Sequence, residues 1–311
     1  MRIFHHINDF IGCNNPVVTL GTFDGLHYGH LQIIEKLKKA AKEINGETVV
    51  ITFSPHPRLV LFPDDNDLKL LSDQDEKIKL FENTGIDYLI MHPFTKEFSR
   101  LSTVEFVRDL LVNKLGTKKL IIGYDHRFGR NREGSLEQLK EFESVYGFEV
   151  LEIPKQEVDH IAVSSTKIRN ALLAGEIKTA NSFLGYPYHL TGTVIRGSKL
   201  GREIGFPTAN LKIEDKHKLI PANGVYAIKA EIGGNVYTGM MNIGVRPTVD
   251  GKTLAIEAHL FNFSKDIYDK KISVYFIDKL REEQKFDSID KLRKQLLEDR
   301  EFALEILDQI K

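Results

Sequence analysis

The sequence has a single cysteine, Cys13, and no long apolar run. One cysteine excludes an internal disulfide and a cysteine-based zinc site, and its surroundings favour apolar packing over nucleophilic chemistry. No stretch approaches the ~20 apolar residues that a membrane-spanning helix needs, and the N-terminus lacks the apolar core of a signal peptide. We therefore expect a cytoplasmic protein that does not interact with membranes.

The sequence also lacks an excess of either charge. The 43 Lys and Arg residues nearly balance the 44 Asp and Glu residues, giving a net charge of −1. The basic surplus that marks many nucleic-acid-binding proteins is therefore absent. The 23 glycines and 10 prolines in 311 residues are typical of a globular protein, and 41% hydrophobic residues suffice for two cores. The composition leaves self-association open.

The first 185 residues alternate short apolar runs with amphipathic segments. This β-α-β repetition predicts a parallel sheet covered on both faces, with ligands bound at the carboxyl ends of its strands. The predicted strands are 16–20, 48–53, 88–91, 119–122 and 148–153, and the predicted helices are 28–42, 73–82, 104–112 and 136–142.

After residue 185 the pattern changes to short β-branched or aromatic runs separated by Gly and Pro. Such a pattern predicts an antiparallel barrel or sandwich. An amphipathic segment at 289–307 predicts a terminal helix. The predicted strands are 192–195, 225–232, 236–241, 254–260 and 272–277. We therefore place one domain at 1–185 and a second at 186–311.

The strongest local motif is GTFDGLHYGH at residues 21–30, between a predicted strand and a predicted helix. Its glycines allow a sharp turn, and the free N–H groups of the following helix attract phosphate. His27 and His30 are three residues apart and share one helical face. They can donate hydrogen bonds to a phosphate during nucleotidyl transfer. Half of a metal site is the alternative, although no third ligand stands nearby.

A second phosphate-type motif is SSTKIR at residues 164–169, which opens a predicted helix. Its hydroxyls are natural helix caps, and its basic side chains add charge beside the helix start. On its own this segment is better explained as an ordinary capped helix. Together with His-x-Gly-His it forms the two-part signature of class I nucleotidyltransferases.

The second half contains the glycine-rich segment GREIGFPTAN at residues 201–210. Its spacing does not match the P-loop motif. Thr208 and Asn210 are two apart on a predicted strand and face the same side, and their oxygens suit Mg²⁺. A glycine-rich barrel corner explains the composition equally well. Glu257 lies in an apolar strand, and on the residues alone it is best explained as a surface carboxylate of an edge strand.

Several motifs stand in the order found in one known family. The chain resembles the bifunctional bacterial riboflavin kinase/FAD synthetases over its whole length. The motifs are GTFDGLHYGH, TFSPHP at 52–57, GYDHRFG at 123–129, SSTKIR, GFPTAN, NIGVRPT at 242–248, IEAHL at 256–260 and LREEQKF at 280–286. The family usually has Phe at His126 and often Arg at Ala162. The resemblance implies a Rossmann-like nucleotidyltransferase domain followed by an antiparallel β-barrel riboflavin kinase domain with a terminal helix.

The resemblance also implies substrates and site residues. The substrates would be riboflavin, FMN and ATP, with Mg²⁺ required. Catalytic roles fall to His27, His30 and Glu257. Adenylyltransferase nucleotide contacts fall to Gly21, Phe23, Asp24, Gly25, Gly29, Ser165, Thr166 and Arg169, with flavin or nucleotide contacts at His56, Asp125 and Arg127. Kinase nucleotide contacts fall to Gly197, Lys199, Gly201, Arg202, Gly205, Pro207 and Thr208. Flavin contacts fall to Asn210 and Arg281, and metal ligands to Thr208 and Asn210.

Two other functions are compatible with parts of the sequence. An adenylyltransferase for another phosphorylated substrate, such as a pantetheine phosphate, would explain His-x-Gly-His but leave residues 186–311 without a role. A flavin-binding regulator that has lost catalysis would keep the fold. The presence of His27, His30, Thr208 and Glu257 argues against the regulator.

Overall fold

The computed structural model describes the chain apart from residues 65–66, 124–127, 131–132, 154–162, 198–199, 249–250 and 310–311. Its contacts divide the chain into two units, Met1–Ser164 and Ser165–Lys311. The helices and strands of each unit are described separately below.

The first unit is built on a six-stranded sheet in the order β1-β4-β3-β2-β5-β6, and its strand pairs are parallel. This confirms the predicted parallel sheet. The strands are β1 (Arg2–Phe4), β2 (Val17–Leu20), β3 (Thr48–Phe53), β4 (Tyr88–His92), β5 (Lys119–Gly123) and β6 (Glu149–Ile153). The helices are α1 (Tyr28–Glu43), α2 (Pro57–Leu61), α3 (Gln74–Glu82), α4 (Thr103–Glu105) and α5 (Leu136–Tyr146), with 3₁₀ turns at Ile7–Asp9 and Phe98–Arg100.

The core of this unit covers both faces of the sheet. Val17 and Val50 belong to a cluster with Ile34 and Leu37 of α1. The alternate residue Val18 belongs to a second cluster on the opposite face. Successive side chains of a strand point to opposite faces, so strands buried on both sides are apolar without interruption. That is why β2 and β3 are recognisable in the sequence.

One predicted helix differs in kind from the observed structure. The sequence predicts a helix at 104–112, and the chain instead forms α4 followed by a π-helix at Phe106–Lys114. The N-terminus is set by Ser102, whose side chain accepts from the Glu105 N–H in a capping box. Apolar spacing along the sequence indicates a helical face but does not distinguish i+4 from i+5 hydrogen bonding.

The second unit contains a closed barrel in the order β10-β11-β8-β7-β12-β9, with antiparallel pairing. The predicted barrel is confirmed. Its strands are β7 (His189–Ile195), β8 (Ala209–Lys212), β9 (Gly224–Ile232), β10 (Asn235–Thr248), β11 (Gly251–Leu260) and β12 (Lys271–Arg281). The helices of the unit are α6 (Ser165–Ala174), α7 (Ile177–Leu184), α8 (Leu200–Glu203) and the terminal α9 (Ile289–Asp308). Ala303 and Leu307 of α9 pack against Met240 and Ile277.

Helix α7 is bound to the barrel and to the residue that precedes strand β7 by side-chain contacts. The Asn181 side chain donates to the Phe276 carbonyl at 2.9 Å and accepts from the Tyr188 N–H at 2.7 Å. Lys178 forms a 2.7 Å ion pair with Asp278. The second unit therefore includes residues 165–184 together with the barrel, whereas the sequence-based boundary at 185/186 assigns them to the first domain. That boundary stays a prediction.

A buried histidine makes the stability of the first unit depend on pH. His92 ends β4, its Nδ1 accepts from the Ile7 N–H at 3.4 Å, and it is 6% exposed. Burial, and secondarily His6, lower the pKa of His92 to about 4. Between about pH 4 and pH 6.5 the unfolded chain therefore binds a proton that the folded chain does not. We therefore expect the free energy of unfolding to fall as the pH drops through this window.

We expect His92→Asn to flatten this dependence, because asparagine keeps an acceptor for Ile7 but does not titrate. The wild-type chain should lose about 3 kcal/mol more than the variant between pH 7 and pH 4. Urea unfolding at several pH values measures the difference. Parallel curves for the two proteins would show that His92 is not buried in its neutral form.

Candidate active sites

The turn after β2 is tightly constrained. Gly21 N–H donates to the Ile51 carbonyl at 3.0 Å, and Phe23, Gly25 and Leu26 have φ values of 45°, 76° and 34°. A Cβ on Gly25 would lie 2.8 Å from the Cβ of Leu71. Glycine is therefore required at position 25 for both its backbone angle and its space. The turn ends at His27, which is the N-cap residue of α1.

His27 and His30 lie together at the start of α1. Their rings stack with centroids 3.7 Å apart, and the edge of Phe23 meets His30 at 5.2 Å. A Cβ on Gly29 would lie 3.2 Å from the His27 ring, so this glycine makes room for the pair. The structure thus brings together the two histidines that the motif predicted to share a face.

The electrostatics of the site favour a neutral His30 ring. Desolvation lowers the pKa of His30 well below its usual range, and the neighbouring His27 and Lys77 lower it further. The His30 Nδ1 is buried and has no hydrogen-bond partner among the described residues, while His30 as a whole is partly exposed. A neutral imidazole still donates one hydrogen bond. The pair is therefore suited to a negatively charged group at the helix start, where the helix dipole also favours an anion.

The remaining predicted contacts of the adenylyltransferase site are placed as follows. Asp24 is buried and accepts from the Leu71 and Ser72 N–H groups, so it holds the turn from inside. His56 caps α2, and its Nδ1 accepts from the Arg58 N–H at 3.2 Å. Asp125, Arg127, His126 and Ala162 lie outside the described residues. Ser165, Thr166 and Arg169 lie on α6, in the second unit.

In the second unit, the glycine-rich segment at residues 197–205, called the glycine loop below, packs closely against strand β8. A Cβ on Gly197 would lie 2.2 Å from Asn210 Nδ2, and one on Gly201 would lie 2.3 Å from the Phe206 carbonyl. Gly205 has a φ of 87°, and the Phe206 N–H donates to the Gly201 carbonyl at 2.7 Å. The close approach of backbone to side chain explains why glycine occupies these positions. Lys199 lies outside the described residues.

Three predicted kinase residues meet on one side of the barrel. Glu257 of β11 lies directly opposite Asn210 of β8, and Thr208 Oγ1 approaches Glu257 Oε1 at 3.5 Å. Glu257 is half-buried between the buried residues Ile256 and Ala258. A carboxylate, a hydroxyl and an amide thus converge beside the glycine loop. This is a donor set of hard oxygens.

The neighbouring side chains extend this site. The His259 ring bonds to the Pro207 carbonyl at 2.8 Å and packs on Phe206, which fixes the chain next to Thr208. A cavity of about 450 Å³ is lined by Thr208, Arg202 and Pro207 and by Ala258 and Leu260. Ala258 and Leu260 alternate with Glu257 along β11 and so point to the other face of the strand. The size of the cavity suits a small organic ligand.

Arg281 has a partner that the sequence did not indicate. Its Nε and one terminal nitrogen donate to the two carboxylate oxygens of Asp299 on α9, at 2.8 and 2.7 Å, and Asp299 is 4% exposed. A third N–H donates to the Glu282 carbonyl at 3.0 Å. The observed role of Arg281 is to fasten the end of β12 to the terminal helix. Its predicted flavin contact stays a prediction.

The first unit has a glycine-rich turn with two stacked histidines at the carboxyl edge of its parallel sheet, and the barrel brings a carboxylate, a hydroxyl and an amide close together. These features are typical of a two-part nucleotide-using transferase. Family models agree with this division. Residues 12–167 match the FAD synthetase family, and residues 184–307 match the riboflavin kinase family.

Whole-chain relatives share both parts. The bifunctional riboflavin kinase/FMN adenylyltransferase of Buchnera aphidicola is 38% identical over 97% of this chain and 98% of its own length. That of Listeria monocytogenes is 38% identical over 92% of this chain and 90% of its own. A solved structure described as a macrolide-efflux protein from Streptococcus pneumoniae is 33% identical, covers 97% of this chain and 98% of its own, and superposes with a TM-score of 0.86. The chain belongs to the bifunctional riboflavin kinase/FMN adenylyltransferase family.

Within the described part of the chain, no helix combines the length and apolar character needed to cross a membrane.

Proposed function

We propose that this protein carries out both reactions of its family. The riboflavin 5′-hydroxyl attacks the γ-phosphorus of ATP, giving FMN and ADP. A phosphate oxygen of FMN then attacks the α-phosphorus of a second ATP, giving FAD and pyrophosphate. The observation that carries this proposal is the convergence of Thr208, Asn210 and Glu257 in the unit that matches riboflavin kinases. The paired histidines of the FAD synthetase unit support the second reaction.

In the kinase reaction, Glu257 would accept the proton of the flavin hydroxyl. Its position opposite Asn210 places it beside the glycine loop, whose backbone would face the phosphates of ATP. Arg202 and Thr208 line the neighbouring cavity, which suits the nucleotide. Positioning and charge neutralisation then supply most of the rate enhancement.

The residues around Thr208 fit a divalent metal. The Thr208 hydroxyl and the Asn210 side-chain oxygen are hard ligands, and Mg²⁺ usually takes one or two protein ligands together with substrate phosphates. Thr208 and Asn210 would hold Mg²⁺ there, and the bound ion would neutralise charge on the transferring phosphoryl group. Among the described residues, no group of three or more His, Cys, Asp or Glu side chains is placed to hold a metal ion. With two protein ligands, metal binding beside Thr208 would depend on the ATP phosphates as well.

In the adenylyl transfer, His27 and His30 would donate hydrogen bonds to the α-phosphate as negative charge builds up on it. A neutral His30 avoids placing two positive charges at a centroid distance of 3.7 Å. The family resemblance assigns the β- and γ-phosphates, which leave as pyrophosphate, to Ser165, Thr166 and Arg169. His56 would contact the flavin or nucleotide.

Two separate assays test the two halves of the proposal. Riboflavin with ATP and Mg²⁺ should give FMN and ADP, and FMN with ATP and Mg²⁺ should give FAD and pyrophosphate. An adenylyltransferase for another phosphorylated substrate would fail both assays. A flavin-binding regulator would bind flavin without producing ADP or pyrophosphate.

The contacts of α7 predict how much of the chain a stable kinase fragment needs. A fragment of residues 165–311 should phosphorylate riboflavin, and a fragment of residues 186–311 should be less stable because it loses the Asn181 bonds and the packing of Leu184. We expect the free energy of unfolding to differ by more than about 2 kcal/mol, the scale of one or two buried aliphatic side chains. Urea unfolding of both fragments measures this. Equal stability would support a boundary at 185/186.

A further inference from the structure

The segment at residues 71–77, which belongs to none of the sequence motifs, contacts the turn at residues 21–27. Besides the bonds from Asp24 to the backbone of residues 71 and 72, the Gly25 N–H donates to Ser72 Oγ at 3.2 Å. The same segment leads into α3, whose N-terminus is closed by a capping box between Asp73 and Glu76. The turn is therefore built against a rigid helix start rather than against a free loop.

Lys77, one turn into α3, reaches back to the same turn. It is 6% exposed, and its Nζ donates to the Thr22 carbonyl at 2.9 Å. The Thr52 hydroxyl of β3 donates to the same carbonyl at 3.1 Å. A carbonyl oxygen has two lone pairs, so this oxygen is fully occupied by donors from the protein. The orientation of the Thr22–Phe23 peptide is thereby fixed.

The N–H group of the Thr22–Phe23 peptide belongs to Phe23 and lies on the opposite side from the carbonyl. In a trans peptide the N–H points away from the carbonyl, so the Phe23 N–H faces away from Lys77 and Thr52. Among the described residues, the Phe23 N–H donates to no acceptor. Phe23 itself has a φ of 45°, an unfavourable angle for a residue other than glycine. An unused donor on a residue held in this conformation is what a phosphate-binding turn requires.

The positive charge of Lys77 also affects the ionisable groups around this turn. Burial lowers the pKa of the Lys77 ammonium, and the Asp24 carboxylate opposes that shift. Lys77 in turn contributes to the lowered pKa of His30. The ammonium is therefore close enough to interact with groups on both sides of the turn, inside a region from which water is largely excluded.

We propose that Lys77 is a positioning residue for adenylyl transfer, which holds the Thr22–Phe23 peptide so that the Phe23 N–H faces the nucleotide phosphates. This inference rests on the adenylyl transfer proposed above. Lys77 would act through the backbone of the turn and not by contact with the reacting atoms.

Lys77→Met tests the inference, because methionine fills a similar volume without a donor or a charge. We expect kcat for FAD formation from FMN to fall about 10²-fold, the cost of misplacing reacting groups by about 1 Å. The KM for FMN should stay within about twofold, since a faulty phosphate orientation slows the chemical step. Lys79→Met is the matched control, because Lys79 is exposed on the same helix. Riboflavin phosphorylation by each variant should match the wild type.

Two further variants keep the test decisive. Lys77→Arg retains a positive donor and should recover kcat to within about tenfold of the wild type. Thr52→Val removes the other bond to the Thr22 carbonyl at nearly constant volume, and we expect kcat to fall about tenfold. If Lys77→Met does not fold, a Thr52→Val enzyme with wild-type kcat overturns the inference. A folded Lys77→Met enzyme with wild-type kcat overturns it as well. Failure of the wild-type protein to make FAD is a different result, which contradicts the proposed function itself.

Discussion

Replacing His30 with alanine is expected to stop FAD formation while FMN still accumulates from riboflavin and ATP. His30 lies at the start of α1, stacked on His27 at 3.7 Å and in contact with Phe23. Removing one preorganised donor to a developing charge costs about 10²–10³-fold in rate. The barrel shares no part of this histidine pair, so its reaction should continue. Chromatography of the flavins after incubation with ATP and Mg²⁺ measures both products at once.

His5→Ala serves as the control, because His5 is exposed and lies outside the turn. It should make FAD at the wild-type rate. A His30→Ala protein that makes FAD at a similar rate would remove the histidine pair from the site. Loss of both FMN and FAD would instead indicate general misfolding, which a thermal unfolding curve of the variant identifies.

The Glu257→Gln variant should give the opposite pattern. Glutamine keeps the shape of the side chain and its place opposite Asn210, but it cannot accept a proton. Loss of a general base costs about 10²–10⁴-fold, so FMN formation from riboflavin should fall by that factor. FAD formation from supplied FMN should be unchanged, because His27 and His30 are intact.

Glu301→Gln is the matched control for this variant, since Glu301 is exposed on α9. Its kinase rate should equal that of the wild type. If Glu257→Gln phosphorylates riboflavin normally, Glu257 is a surface carboxylate that stabilises the barrel edge. His30→Ala and Glu257→Gln together separate the two reactions within one intact chain. The result does not depend on where a fragment is cut.

Much of the fold was predictable from local patterns. The strands of the parallel sheet are buried on both faces and so appear as continuous apolar runs, as in β3. The strand β1 was missed because three residues, Arg2–Phe4, are too few to show a pattern. The π-helix at Phe106–Lys114 was missed because apolar spacing indicates a buried face and not a hydrogen-bonding register.

The sequence predicts those site residues that lie within one motif. It does not predict those that come together only when the chain folds. His27 and His30 share a helical turn, and Thr208 and Asn210 share a strand, so spacing alone predicts their proximity. Glu257 was assigned by family resemblance, and its place opposite Asn210 follows only from strand pairing. Lys77 is separated by 55 residues from Thr22, and Arg281 by 18 from Asp299. No sequence pattern predicts either pair, because a lone Lys or Arg on an amphipathic segment is usually exposed.

The most direct test of a two-reaction enzyme is a time course of the intact wild-type protein with riboflavin, ATP and Mg²⁺ as the only small molecules supplied. Flavins and nucleotides are separated by chromatography at each time. FMN should appear first and then be converted to FAD, with one ADP and one pyrophosphate formed for each FAD. A preparation that folds cooperatively yet never forms FMN, or forms FMN and leaves it unconverted while ATP remains, would contradict the assignment of both reactions to this chain.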